Sequence, residues 1–82
     1  MFPVINKVEP LADFKLKLSF NSGETTVYDV MPLINRFDAF KPLLKIKGLF
    51  ETVKNERYGV SWNDYIDIDS SELLINGKAC DD

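Results

Sequence analysis

Alternation of apolar and polar residues is the clearest pattern along this chain. It is strongest over Asp13–Phe20, where four apolar side chains are separated by lysine and serine. A period of two places successive side chains on opposite faces of a strand, so this segment predicts a strand with one buried and one solvated face. Val4–Glu9 predicts an earlier strand, which we expect to end at Pro10 because proline has no N–H for a ladder hydrogen bond.

The next segment predicts a β-hairpin. An Asn-Ser-Gly sequence follows the strand, and Glu24–Val30 then reads as the returning strand. Glycine suits such a turn because it adopts positive φ angles without steric cost. Two registers are open: a two-residue loop pairs Leu18 with Val27, whereas a three-residue loop with a bulge pairs Leu16 with Tyr28.

The middle of the chain changes period. Leu33–Lys47 has apolar residues at spacings of three and four, which favours short helical turns. Pro42 is compatible with a first helical turn, and Gly48 suits either a C-terminal cap or a bend. Leu49–Val53 is expected to form a single turn that leads into a strand.

Two further strands are predicted after this region, over Val53–Tyr58 and Val60–Ile68, with Gly59 serving as either a bulge or a turn. Asn63-Asp64 is a second turn candidate. A short helix is predicted to follow, because Asp69 is a suitable N-cap and the acidic residue at position 72 is spaced to reach back to its N–H.

Together these elements predict an α+β domain, with a small antiparallel sheet of about four to five strands and one or two short helices packed against it. A chain of 82 residues is long enough for a single domain only. We expect residues 2–77 to be compact and residues 78–82 to form a loose tail.

Charge is distributed unevenly. The net charge is −3, but residues 1–60 carry +2 and residues 61–82 carry −5. Nucleic-acid binding draws on a basic field that neutralises phosphates, so direct binding of DNA or RNA is not expected. The single cysteine, Cys80, has no partner for a disulfide, and no apolar run approaches the roughly 20 residues needed to span a bilayer. With no leader segment recognised, a cytoplasmic protein is expected.

Several of these segments resemble a small bacterial family catalogued as domain of unknown function 2442, over roughly residues 4–74. The resemblance is carried by the Phe-Lys-Leu-Lys-Leu-Ser-Phe strand and by Ser22-Gly23-Glu24, Val27-Tyr28-Asp29-Val30, Leu49-Phe50, Val53, Val60-Ser61-Trp62 and Asp67-Ile68. It implies an antiparallel α+β domain, and some relatives are associated with toxin–antitoxin-like gene pairs or carry an added helix-turn-helix. Only eight residues follow Leu74 in this sequence, so such a unit is not expected here.

The segment from Val60 to Asp69 contains the candidate interaction residues Trp62, Asp64, Tyr65 and Asp67. Aromatic residues are enriched in binding hot spots, although a lone tryptophan in so small a domain is more often a core residue with its indole N–H on a backbone acceptor. Asp64, Asp67 and Asp69 are also candidate metal ligands, but the spacing departs from a calcium loop, and we expect capping or solvated roles and no metal or cofactor.

Catalysis is not expected, because the chain has no histidine and its only thiol lies near the end. The leading hypothesis is a non-catalytic protein-interaction domain, antitoxin-like or regulatory, that meets a basic partner through a strand edge or an aromatic patch. The alternative is a small-molecule or metal-binding domain with a pocket between the sheet and Leu33–Leu44. Self-association through a sheet edge is a third.

Overall fold

The computed structural model describes residues 2–79. Within these residues, seven strands, three short α-helices and three 3-10 turns follow one another. The strands are β1 (Ile5–Leu11), β2 (Lys15–Phe20), β3 (Thr25–Asp29), β4 (Lys54–Asn55), β5 (Gly59–Asn63), β6 (Ile66–Asp69) and β7 (Lys78–Ala79). The helices are α1 (Met31–Arg36), α2 (Pro42–Lys45) and α3 (Ser70–Ile75), and the 3-10 turns are Ala12–Phe14, Asp38–Phe40 and Phe50–Thr52.

The strands form two antiparallel sheets, one in the order β1-β2-β3-β7 and the other in the order β4-β5-β6. This arrangement confirms the predicted α+β class, with the strands divided between two sheets. The sheets meet where β1 adjoins β4, and there the Ile5 N–H donates to the carbonyl oxygen of Arg57 at 2.8 Å and the Asn55 side chain donates to the Ile5 carbonyl oxygen at 2.9 Å. One hydrophobic core therefore serves both sheets.

The β2–β3 hairpin adopts the longer of the two predicted loops. Leu16 pairs with Tyr28, and Leu18 pairs with Thr26. Gly23 has a φ of 95° and its N–H donates to the Phe20 carbonyl oxygen at 2.9 Å, as expected of a three-residue loop that ends in a left-handed residue. This register puts Leu16, Leu18 and Tyr28 in the core together.

Two strand boundaries near the N-terminus differ from the prediction. β1 continues through Pro10 to Leu11, because β1 is an edge strand of its sheet and needs no N–H from the proline on its open side. The second strand begins at Lys15 rather than Asp13, since Asp13 and Phe14 have φ angles of 62° and 59°, which no β-strand accommodates. The Ala12–Phe14 turn redirects the chain so that Phe14 packs on Phe50.

The central segment forms the predicted short helical turns. Pro42 occupies the first turn of α2, as proline can because the N–H it lacks is unpaired there in any helix. Gly48 has a φ of 85° and lies in the bend after α2. The predicted turn before the next strand is the 3-10 turn Phe50–Thr52.

The second sheet is more divided than predicted. The strand expected over Val53–Tyr58 is reduced to the two residues of β4, and the strand expected over Val60–Ile68 is two strands, β5 and β6. The turn that separates them consists of Asp64 and Tyr65, one residue later than the candidate Asn63-Asp64. The Asn63 side-chain oxygen accepts hydrogen bonds from the N–H groups of Tyr65 at 2.8 Å and Ile66 at 3.1 Å, which closes the hairpin.

The chain ends in α3 and β7. The expected capping box is wrong: the Asp69 side chain makes no cap hydrogen bond, and the Glu72 carboxylate instead accepts from Tyr28 and Asn76. Lys78 and Ala79, predicted as the start of a loose tail, pair with β3 as β7. Cys80 and the two residues after it lie outside the described residues. Between residues 2 and 79, we find no helix with the length and hydropathy of a membrane span.

Candidate functional site

The outer face of the second sheet carries most of the candidate residues. In β6 the side chains alternate, with Ile66 and Ile68 buried and Asp67 and Asp69 exposed. Asp67 pairs with Ser61 of β5, and Asp69 pairs with Gly59. Because directly paired residues share a face, the two carboxylates lie beside a serine and a glycine, which are small and leave them open to solvent.

A groove with a volume of about 410 Å³ runs over this face. Four carboxylate side chains line it, from Glu56, Asp64, Asp67 and Asp69. We call this feature the acidic groove. Ser61 fixes one of the four, because its hydroxyl donates to Glu56 Oε2 at 2.6 Å. Lys54 pairs with Ser61 from the opposite side and contributes one positive charge at the edge of the face.

One tyrosine lines the acidic groove, and a second follows one of the groove's carboxylates in sequence. Tyr58 lines it and is 55% exposed, and Tyr65, at the β5–β6 turn, is 84% exposed. Exposed tyrosines combine a large apolar surface with a polar hydroxyl, which is the side-chain type enriched where proteins bind one another. Asp64, Tyr65 and Asp67 are all exposed, and their role in binding a partner stays a prediction.

Trp62 is placed differently. Its side chain is 4% exposed and points to the inner face of the second sheet, where its indole N–H donates to the Phe50 carbonyl oxygen at 2.8 Å. Its ring stacks on Phe50 with centroids 5.7 Å apart. Of the two interpretations that the sequence left open, the structure selects the core residue, so Trp62 supports the acidic groove from beneath and has no surface for a partner.

Two further expectations about carboxylates can be compared with the structure. Asp29 was predicted to accept a backbone hydrogen bond from the turn after its strand, and its Oδ1 accepts from the Met31 N–H at 3.0 Å. Asp67 and Asp69 share a face, as a cation site would need, yet residues 2–79 contain no group of three or more ligand side chains arranged to hold a metal ion.

A second cleft lies beside the end of the Leu33–Leu44 segment. It is lined by residues of α2 and of turns, whereas the alternative hypothesis expected a pocket between this segment and the sheet. The cleft has a volume of about 310 Å³. Its apolar lining residues are Phe14, Leu43, Leu44, Ile46 and Phe50. Its charged lining residues are Lys45, Lys47 and Glu51. We call this feature the cationic cleft.

Sequence reasoning missed Glu56 as a member of the acidic groove. Glu56 was assigned to the interior of a strand, but it lies in the turn between β4 and β5, where its N–H donates to the Gly59 carbonyl oxygen at 2.9 Å. The available signal was Gly59 together with the polar Asn-Glu-Arg sequence before it, which is typical of a tight turn.

Comparison with known proteins identifies one relationship. A family model described as a protein of unknown function (DUF2442) matches residues 5–79, nearly the whole chain. No curated protein matches the chain, and no solved structure matches it. The match confirms the resemblance drawn from the hairpin and from the tryptophan segment.

Proposed function

The chain belongs to the DUF2442 family, and we propose that it is a non-catalytic protein-interaction domain whose acidic groove binds a basic protein. The observation that carries the proposal is the convergence of Asp64, Asp67, Asp69 and Glu56 in one groove. These residues come from two turns and a strand, and only the folded chain brings them together.

Electrostatics supports a basic partner. The segment from residue 61 onward carries a net charge of −5, and Asp64, Asp67 and Asp69 of this segment line the acidic groove. Opposite charges accelerate encounter and select among partners, although they add less to the affinity itself. A negative surface repels nucleic-acid phosphates, so we propose a protein as the partner.

The tyrosines supply the contact area that charge alone lacks. Tyr65 and Tyr58 present large side chains next to the carboxylates, and each loses little conformational freedom when it is covered. An aromatic anchor beside a charged groove is the arrangement in which a few residues dominate binding.

More specifically, we propose an antitoxin-like or regulatory role, in which the acidic groove covers a basic, toxin-like protein. It is supported by the charge of the groove and by the family resemblance. A cytoplasmic location belongs to the same proposal, and it is supported by the single cysteine of the sequence.

The proposal is tested by affinity capture from the native organism with the chain as bait, followed by titration of the purified basic partner. Asp64→Lys combined with Asp67→Lys is expected to raise the dissociation constant by about tenfold or more and to flatten its dependence on salt. Both side chains are exposed, so the fold tolerates the change.

The matched control is Glu24→Lys combined with Asp38→Lys. It makes the same change in net charge at two exposed positions outside the acidic groove, and it is expected to bind the partner within about twofold of the original chain. The role of the acidic groove is contradicted if both double variants lose affinity equally. It is also contradicted if both capture the same partner as well as the original chain does.

A further inference from the structure

The cationic cleft stands out because apolar surface is left exposed among positive charges. Leu44 is 51% exposed and Ile46 is 55% exposed. Residues 36–47 contain four basic residues and one acidic residue, a net charge of +3. Large apolar side chains that stay in contact with water beside a polar rim are typical of an interaction surface.

Two lysines of this region are available to a partner. The Lys41 ammonium group donates to the Ile34 carbonyl oxygen at 2.8 Å and serves the fold. Lys45 and Lys47 are exposed and line the cationic cleft. A partner that fits here has an apolar or aromatic group for the cleft and negative charges beside it.

The β5–β6 turn of the same chain has this chemistry. Tyr65 is 84% exposed at its tip, and Asp64 and Asp67 flank it. The turn is also held in shape, because the Asn63 side-chain oxygen accepts hydrogen bonds from two of its N–H groups. A fixed turn loses little entropy on binding, which favours its use as an anchor.

The two surfaces lie on opposite sides of the second sheet. Trp62 occupies the inner face of this sheet, and Phe50 stacks on Trp62 from that side. Phe50 also lines the cationic cleft, whereas Asp67 and Asp69 face outward. The sheet and the stacked rings thus separate the carboxylates from the cleft, so their meeting needs two copies of the chain.

We propose that the acidic groove and the cationic cleft bind each other between copies of this chain. Tyr65 of one copy enters the cleft of the next, and Asp64 and Asp67 face Lys45 and Lys47 there. The inference rests on the proposed function and assigns the basic surface of the partner to the cationic cleft of a second copy. Because the two surfaces lie on opposite sides of the second sheet, one copy cannot present both to the same neighbour, so repetition of the contact produces a ring or an open filament rather than a two-fold dimer.

An anionic membrane is the competing occupant of the cationic cleft. The second copy is favoured because the cleft is concave, with a volume of about 310 Å³ that admits an aromatic ring, and because this same chain presents the complementary tyrosine between two aspartates. A bilayer surface matches the lysines but makes no use of a concave site.

Sedimentation velocity over a dilution series tests the proposal directly. The unmodified chain is expected to associate as its concentration rises, and added salt is expected to weaken the association. Tyr65→Ala is expected to raise the dissociation constant by ~30-fold, while Tyr65→Phe, which keeps the ring, stays within about threefold. A chain that remains monomeric at every concentration overturns the inference.

A charge exchange gives the sharper test. One variant carries Asp64→Lys and Asp67→Lys, and the other carries Lys45→Glu and Lys47→Glu. Each alone brings like charges together and is expected to stay monomeric, whereas an equal mixture is expected to associate as the unmodified chain does. Folding of each variant is checked by its melting temperature. A mixture that stays monomeric, or a single variant that associates fully, overturns the inference.

Two further outcomes separate this inference from the proposed function. A monomeric chain that binds a different basic protein through the acidic groove overturns the second copy as partner and leaves the proposed function standing. Binding of the monomeric chain to phosphatidylserine vesicles, lost on Lys45→Glu combined with Lys47→Glu, overturns the inference by assigning the cleft to a membrane surface.

Discussion

The Tyr28 hydroxyl donates a hydrogen bond to Glu72 Oε2 at 2.8 Å and so joins β3 to α3 across 44 residues of sequence. A second bond acts beside it, from the Thr26 hydroxyl to the Leu73 carbonyl oxygen at 3.2 Å. These contacts hold α3 between the two sheets, and α3 follows directly on β6. The position of the acidic groove therefore depends on side chains that lie in another part of the fold.

Removing the Tyr28 hydroxyl is expected to destabilise the domain. Tyr28→Phe leaves the buried ring in place but deprives Glu72 of one donor, and we expect the free energy of unfolding to fall by about 1–2 kcal/mol. Urea denaturation measures the loss. Tyr65→Phe is the control, since Tyr65 is 84% exposed, and it is expected to change stability by less than about 0.5 kcal/mol. Equal stability of Tyr28→Phe and the original chain would show that the bond contributes nothing.

The same residue is expected to make the domain sensitive to alkali. Burial, the hydrogen bond to Glu72 and the negative charges of Glu72 and Asp29 raise the pKa of the Tyr28 hydroxyl above its ordinary value. An acid with a raised pKa in the folded state stabilises the fold below its unfolded pKa, and this stabilisation is lost as the pH rises further. We expect stability to decline above pH ~10, the ordinary value for tyrosine. Denaturation at several pH values measures the free energy of unfolding over this range. It should fall less with rising pH in Tyr28→Phe than in the original chain, and an equal fall in both would contradict the prediction.

Trp62 provides a test of the core assignment. Trp62→Phe removes the indole N–H that donates to the Phe50 carbonyl oxygen and also leaves unfilled space, so we expect a loss of about 2–4 kcal/mol in the free energy of unfolding. Because Trp62 is the only tryptophan, the tryptophan fluorescence of the protein reports the surroundings of this one ring. We expect a blue-shifted emission that acrylamide quenches weakly. Strong quenching in the folded protein would place the ring on the surface instead.

Ser70 is expected to tolerate the loss of its hydroxyl. Its side chain is fully buried at the start of α3, and its Oγ makes no hydrogen bond within the described part of the chain. Burying an unpaired hydroxyl costs about 1–3 kcal/mol, so Ser70→Ala is expected to leave stability unchanged or to raise it by up to about 1 kcal/mol. The neighbouring Ser71→Ala, at a partly exposed position, serves for comparison in the same denaturation experiment. A clear loss at Ser70 alone would reveal a partner for its hydroxyl.

The hairpin shows what a sequence pattern leaves undecided. Alternation identified both strands, but a loop of two or three residues is compatible with Asn-Ser-Gly, and each choice buries a different set of side chains. The structure adopts the register that pairs Leu16 with Tyr28. In this register the Tyr28 hydroxyl reaches Glu72, a residue whose spacing from Asp69 had indicated a local capping role. Glu72 therefore accepts a hydrogen bond from Tyr28, which is distant in sequence, instead of capping its own helix.

The candidate site shows the same division. Exposure of Asp64, Tyr65 and Asp67 follows from their positions in a turn and on the polar face of an alternating strand, which is local information. Glu56 lines the acidic groove only because it lies in the β4–β5 turn. Trp62 is buried because Phe50 and its carbonyl oxygen lie beneath the sheet. No spacing in the sequence encodes the contact between residues 50 and 62.

By itself the sequence determined the α+β class, the hairpin, the short helical turns and the acidity of the last third, because these depend on periodicity, turn residues and charge, which act over a few positions. Only the tertiary structure decided the hairpin register, the division into two sheets, the burial of Trp62 and the separation of the acidic groove from the cationic cleft. Each of these depends on which distant side chains fill the same space, and only the packed core of the folded chain specifies that.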